Sequence, residues 1–204
     1  MQAEVIPLNR RVARPPAELP TGELVVRARA GDVSAQQQLF DRHVQQVAGL
    51  VRRLIPDQPD LDDVIQDVFV HALESLARQR DADAFAGWLR AITVHVVRNR
   101  LRRRRLLRRF GLVPRPEAPD DEQLLTLVSP AAPPDVLAEL RTVYRVVSRL
   151  EPNTRMALIL RRIEGLTVPE VAEELGCSVS TTKRWIAAAE TQLDHELHRA
   201  GVPR

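Results

Sequence analysis

Residues 164–193 read EGLTVPEVAEELGCSVSTTKRWIAAAETQL, and this stretch decides the architecture. Thr167 has the form of a helix N-cap, and Glu170 three residues later completes a capping box, with Pro169 tolerated in the first turn. Val168, Val171, Ala172 and Leu175 then share one helical face. Gly176 follows where helices leave through the left-handed conformation. After Cys177, Ser178 caps a second helix whose apolar positions Val179, Ile186 and Leu193 recur at seven-residue intervals. Two capped helices about a tight corner form a helix-turn-helix, whose second helix enters the DNA major groove. An ordinary hairpin in a helical core has the same spacing. The polar run Ser180-Thr181-Thr182-Lys183-Arg184 favours the DNA-facing reading.

Outward from this stretch, composition agrees. The chain has 204 residues with only 3% aromatics, so its apolar content is aliphatic and suits helices better than strands. The expected fold class is all-α. Net charge is +3, and its distribution says more than its sum. Residues 21–110 carry 16 basic and 11 acidic groups, 111–134 one and four, and 135–204 ten of each. Cys177 is the single cysteine, which excludes an internal disulfide and a multi-cysteine zinc site. At the helix-turn-helix corner it reads as a small buried residue. No stretch approaches the roughly 18 apolar residues of a membrane span, and the N-terminus lacks a secretory apolar run. A soluble, cytoplasmic protein is expected.

Along the chain, residues 1–20 hold four prolines and read as a flexible leader. Leu24, Val25 and Ala28 begin a helix that breaks at Gly31-Asp32. Asp32 caps the next, with Ala35, Leu39, Phe40, Val44, Val47 and Leu50-Val51 as a buried stripe ending before Pro56. Asp60 or Asp62 opens a helix with core positions Leu61, Val64, Ile65, Val68, Phe69, Ala72, Leu73 and Leu76. Asp62, Asp63, Gln66 and Asp67 occupy its other side. A helix dipole explains Asp62 and Asp63 but Asp67 only weakly. Magnesium binding by DDxxxD needs a second acidic motif that the chain lacks, and a partner-protein contact is the remaining reading.

After a loop at 78–84 comes a helix with Phe85, Trp88, Leu89, Ile92, Val96 and Leu101 on its apolar side. It ends in eight arginines (98, 100, 102–105, 108 and 109), an electrostatic footprint for phosphate with Trp88 nearby. Residues 111–134 contain six prolines and the acidic cluster Asp120-Asp121-Glu122, and read as a linker between two domains. Asp135 is the expected cap of the second domain's first helix, with Val136, Leu140, Val143, Val147 and Leu150 apolar. Pro152-Asn153 is the expected break. Thr154 to Ile163 follows, with Met156, Leu158, Ile159 and Ile163 apolar and Arg155, Arg161 and Arg162 basic. The domain runs over 135–198, and 199–204 is a tail.

No Gly-rich phosphate loop, GxSxG or HExxH occurs. His195 and His198, with Asp194, offer at most an adventitious metal site. Neither a catalytic residue nor a cofactor is expected.

The order of these features resembles the extracytoplasmic-function sigma factors, two-domain specificity subunits of bacterial RNA polymerase. The resemblance covers about Leu24 to Leu197. It rests on LVVRARAGDVSAQQQLFDRHVQQV (24–47), DLDDVIQDVFVHAL (60–73), FAGWLRAITVHVVRNRLRRRR (85–105) and LEPNTRMALILRRIEGLTVPEVAEELGCSVSTTKRW (150–185). It implies a region 2-like domain at 21–110 and a region 4-like domain at 135–198. Asp62, Asp63, Gln66 and Asp67 then correspond to positions that dock on the clamp helices of the largest polymerase subunit. Asp83, Phe85, Trp88, His95, Arg98, Asn99, Arg102 and Arg103 fall where the −10 element is opened and its strand held. Arg161, Ser180, Thr181, Lys183, Arg184 and Trp185 fall on the −35 interface. The implied partners are core RNA polymerase, including its flap, promoter DNA and an anti-sigma factor. The acidic linker would lie in the RNA exit path.

His95 stands where the family usually has asparagine, and Ala187-Ala188-Ala189 replaces contacts that many members place after Trp185. A different class accommodates the same helices: a stand-alone helix-turn-helix regulator with an N-terminal signal domain.

Overall fold

The computed structural model describes residues 19–56, 60–79, 81–112 and 134–199, with the side chains of 134, 135, 137 and 138 excepted. Residues 1–18, which hold most of the expected leader, and 113–133, the bulk of the expected linker with its acidic cluster, lie outside the described residues, as do 200–204 of the tail. Within that range every regular element is helical. The elements are α1 (Thr21–Arg29), α2 (Val33–Leu54), α3 (Leu61–Ser75) with a 3-10 turn at Leu76–Arg78, α4 (Phe85–Arg109), α5 (Pro134–Arg149), α6 (Pro152–Arg162), α7 (Val168–Glu174) and α8 (Val179–Arg199).

Helices α1–α4 pack on one another through an aliphatic core. Leu24, Val25, Val51, Leu54, Val64, Val68, Val94 and Val97 are all fully enclosed. The start of α2 follows its sequence: Gly31 turns the chain at φ 88°, and the Asp32 carboxylate accepts a hydrogen bond from the Ala35 amide at 3.2 Å. That bond holds the Asp32 carboxyl below its usual range.

On α3 the expected stripe is buried except at Leu61, which is half-buried, and at Leu73, which is 46% exposed. Ile65 and Phe69 already stand at the rim of the stripe, and another turn along that row leads out of the core. The helix then tightens into the 3-10 turn, which returns Leu76 to the interior. The core face of α4 is wider than the periodicity suggested, since Thr93, Val94 and Val97 are buried while Trp88, Ile92 and Leu101 are only half-buried. Thr93 is satisfied in that position by donating to the Leu89 carbonyl at 2.8 Å.

The C-terminal helices are built around α6. Its residues Arg155 to Leu160 are all buried, so α6 is an axle rather than a surface helix. Three expectations change here. The helix break comes at Leu150-Glu151, just ahead of the expected Pro152-Asn153, and Pro152 sits in the first turn of α6, where its missing N–H costs nothing. Helix α5 begins at Pro134, ahead of the expected Asp135 cap. Val136 at 38% and Ile163 at 50% exposure lie outside the core, each at a helix terminus beyond the packed partners. Arg155, one of the basic positions that alternate with the apolar ones, is 3% exposed and belongs to the core.

Candidate nucleic-acid and polymerase interfaces

The helix-turn-helix forms from the local signals of its sequence. Thr167 and Glu170 make a reciprocal capping box: the Thr167 amide donates to Glu170 Oε2 at 2.7 Å, and the Glu170 amide to Thr167 Oγ1 at 3.4 Å. The Thr167 hydroxyl also donates to this carboxylate, which lowers the Glu170 pKa. Gly176 turns the corner at φ 56°, and Ser178 Oγ accepts from the Thr181 amide at 3.1 Å. Cys177 is half-buried, its Sγ 3.2 Å from the Thr182 hydroxyl. The packing stripe of α8 differs from the one expected. Val179 is 40% exposed, and Thr182, Ile186 and Ala189 fill the core, with Leu193 beside them. The stripe therefore starts one turn later, at Thr182.

This rotation leaves Ser180, Lys183 and Arg184 exposed together. Thr181 is half-buried, and Trp185 packs against the core with part of its indole accessible. Arg161 is exposed, but its guanidinium donates to the Leu166 carbonyl at 2.9 Å, so it also braces the loop entering α7. Ala187 and Ala188 are exposed and leave the following turn bare.

On α3, Asp62, Asp63, Gln66 and Asp67 are exposed on one face, opposite the buried Val64, Ile65 and Val68. Arg100 of α4 reaches across to this helix, 3.2 Å from Asp60 and 3.6 Å from Asp67. Asp62 and Asp63 remain turned to solvent.

The arginine end of α4 is divided in use. Arg102, Arg103 and Arg105 are exposed. Arg102 and Arg105 line a groove whose other wall carries Pro152, Asn153 and Met156 of α6. Arg98 is half-buried and donates to the Glu174 backbone carbonyl at 3.0 Å. Asn99 and His95 are exposed one turn apart, with the Asn99 amide 2.8 Å from His95 Nε2. Trp88 lines a shallow groove with His71, Arg78 and His95. Phe85, read as facing DNA, is instead 3% exposed, tilted against Trp88 at 5.5 Å and His43 at 5.2 Å. Asp83 is exposed at the head of α4 and lies against Gly22 of α1, where a Cβ would stand 2.8 Å from its Oδ1. The α4 start is held by Asp81, whose carboxylate accepts from the amides of Asp83 and Ala84.

The sequence model of Sigma-70 region 2 matches residues 39–106, and that of Sigma-70 region 4 matches 140–193. The ECF RNA polymerase sigma-E factor of Escherichia coli strain K12 is 32% identical over 177 residues, covering 85% of this chain and 92% of the relative. The chain belongs to the ECF RNA polymerase sigma factors. The sigma-E factor of Haemophilus influenzae is 30% identical over the same length. CnrH, solved with the cytosolic domain of CnrY, shares 28% identity with this sigma factor at a TM-score of 0.56, over 88% of this chain and 97% of CnrH. RpoE from Bartonella quintana, solved with the anti-sigma factor NepR, has the same fold at a TM-score of 0.62 and 18% identity, over 79% and 96% of the two chains. The stand-alone regulator is the weaker alternative, since both sigma regions occur here in order. Among the described residues no helix is long and apolar enough to cross a membrane.

Proposed function

We propose that this sigma factor divides its work among three surfaces, and the observation that carries the reading is their segregation. The acidic face of α3 (Asp62, Asp63, Gln66, Asp67) docks on basic polymerase clamp helices, where exposed carboxylates find complementary charge. The exposed part of α4, with Trp88, His95, Asn99, Arg102 and Arg103, captures the unwound −10 strand. Stacking beside positive charge is what single-strand binding requires. Asp83 borders this surface, and Phe85 acts from beneath it by supporting Trp88.

The α8 face with Ser180, Thr181, Lys183, Arg184 and the edge of Trp185 reads the −35 element as duplex, Arg161 adding a phosphate contact. Residues 21–110 and 135–198 are the functional domains, joined by 111–134. The polymerase performs the chemistry, so this subunit supplies no catalytic group. A cytoplasmic location and an anti-sigma partner accompany this role, in keeping with the complexes of CnrH with the cytosolic domain of CnrY and of RpoE with the anti-sigma factor NepR.

The test is charge reversal on α3. Asp63→Arg with Asp67→Arg should abolish co-purification with core polymerase while the circular-dichroism spectrum stays helical. Undiminished binding would sink the assignment of this face.

A further inference from the structure

Two grooves on α4 meet at one pair of residues. The first has Trp88 and His95 on α4 and His71, Glu74 and Arg78 from α3 and its 3-10 turn. The second is lined by Asn99 with Arg98, Arg102, Arg105 and Arg109. His95 and Asn99 stand one helical turn apart, and both are exposed. A strand that stacks a base on Trp88 and lays its phosphates along the arginines has to pass this pair.

The two side chains are bound to each other. Asn99 Nδ2 lies 2.8 Å from His95 Nε2. An amide nitrogen only donates, so the ring nitrogen accepts and the imidazole proton sits on Nδ1. A histidine ring in water carries that proton mainly on Nε2, and a hydrogen bond of this kind is what selects the other form. The Asn99 amide is thereby fixed with its nitrogen turned to His95 and its oxygen turned away. An oxygen accepts but cannot donate. At equivalent places on their edges, adenine and cytosine carry an amine where guanine and thymine carry a carbonyl.

We infer that His95 is a positioning residue for base selection: by accepting from Asn99 it aims the Asn99 oxygen at the −10 strand and sets a preference for a base with an exocyclic amine. The inference rests on the proposed capture of that strand by α4. A proton on Nε2 reverses the preference. The charged ring can only donate there, so the Asn99 amide turns over and offers its N–H groups to guanine O6 or thymine O4. Glu74 across the groove favours the charged ring, whereas Arg78 on that side and Arg98 and Arg102 on α4 oppose it. His71, the other imidazole of the groove, lies 3.7 Å from Glu74 and has to be tested separately.

Two measurements on the full chain test this. Nitrogen-15 spectra of its side chains in mild alkali should show His95 protonated on Nδ1 and bare on Nε2. A ring protonated on Nε2 would overturn the inference with no DNA present. Holoenzyme made from the chain and core polymerase is then offered single-stranded −10 oligonucleotides with randomised positions, and base ratios are read among the retained strands. One position should hold adenine and cytosine about fivefold over guanine and thymine, the worth of one neutral hydrogen bond. Imidazoles titrate near pH 6.5, so the ratio should fall below parity about one unit under that value and be full about one unit above it. His95→Phe keeps a ring but has no acceptor, and should bring the ratio to parity on both sides. Asn99→Asp has oxygen at both ends and should keep the amine preference on both sides. His71→Gln should leave the pH response in place, and loss of the response in that variant would overturn the role of His95. A wild-type preference that ignores pH, or one that survives His95→Phe, would overturn it too. Retention of no strand by any holoenzyme would sink the −10 reading of α4 and base selection with it, while the tautomer result would stand.

Discussion

Replacing Arg155 by methionine should loosen both the C-terminal core and its attachment to α2. The Arg155 Nε donates to the carbonyl of Leu54 at 2.9 Å, and Nη1 to that of Ser148 at 2.7 Å. Both acceptors lie in the last turns of helices, where carbonyls have no intrahelical donor and a cation meets the favourable end of the dipole. A hydrogen bond from a charged donor is worth about 1.5–3 kcal/mol, so losing two, with methionine filling the volume, should cost about 3–6 kcal/mol. Arg155→Lys should recover only part, because an ammonium lacks the planar fork that serves two carbonyls. The assay is denaturant unfolding with tryptophan fluorescence, since Trp88 and Trp185 report one on each half. In the wild type the two probes should move together. In Arg155→Met the Trp185 transition should come first, at lower denaturant. A loss below about 1 kcal/mol, or two probes still coincident, would refute the view of Arg155 as the bond between the halves.

Other outcomes follow from the same geometry. Gly176→Ala should cost about 1–2 kcal/mol by thermal unfolding, because its φ of 56° is left-handed and its methyl would press on Arg98. Burial depresses the His43 pKa below 6.5, so the unfolded chain takes up this proton first as acid is added. Stability from this residue is therefore present above about pH 6.5 and lost as pH falls toward the depressed folded value. His43→Gln should flatten that part of a melting-temperature profile, leaving the opposite trend from Glu174, whose raised pKa favours the packed form as pH falls toward 4.5. Lys183→Ala with Arg184→Ala should weaken binding to duplex −35 DNA while leaving transcription from a premelted template less affected; equal losses in both assays would argue against the division of labour.

How much of this was legible in the sequence depends on whether a signal is local. The capping box, the Gly176 corner and the Asp32 cap are short-range chemistry, and each stands where the residues put it. The buried faces were read less well at their ends. Leu73, Val179 and Ile163 fit a helical period but have no neighbour to cover them, and a period cannot reveal where the partner helix stops. The burial of Arg155 was not legible for the opposite reason. Its burial depends on carbonyls 101 and seven residues away, beyond the reach of any pattern within α6. The acidic face of α3 was visible as composition, whereas the pairing of Arg90 and Arg98 with Glu174 exists only in three dimensions.

The two sides of α8 have a consequence for how such proteins diversify. Thr182, Ile186 and Ala189 hold the helix, and none of them belongs to the exposed set Ser180, Lys183 and Arg184. Substitution on the exposed side therefore leaves the fold's stability nearly untouched. Copies of the gene can exchange those few residues, and extend onto the bare positions Ala187 and Ala188, without passing through an unfolded intermediate. If this face reads the −35 element as proposed, preference for one promoter over another is a trait this scaffold can change one codon at a time.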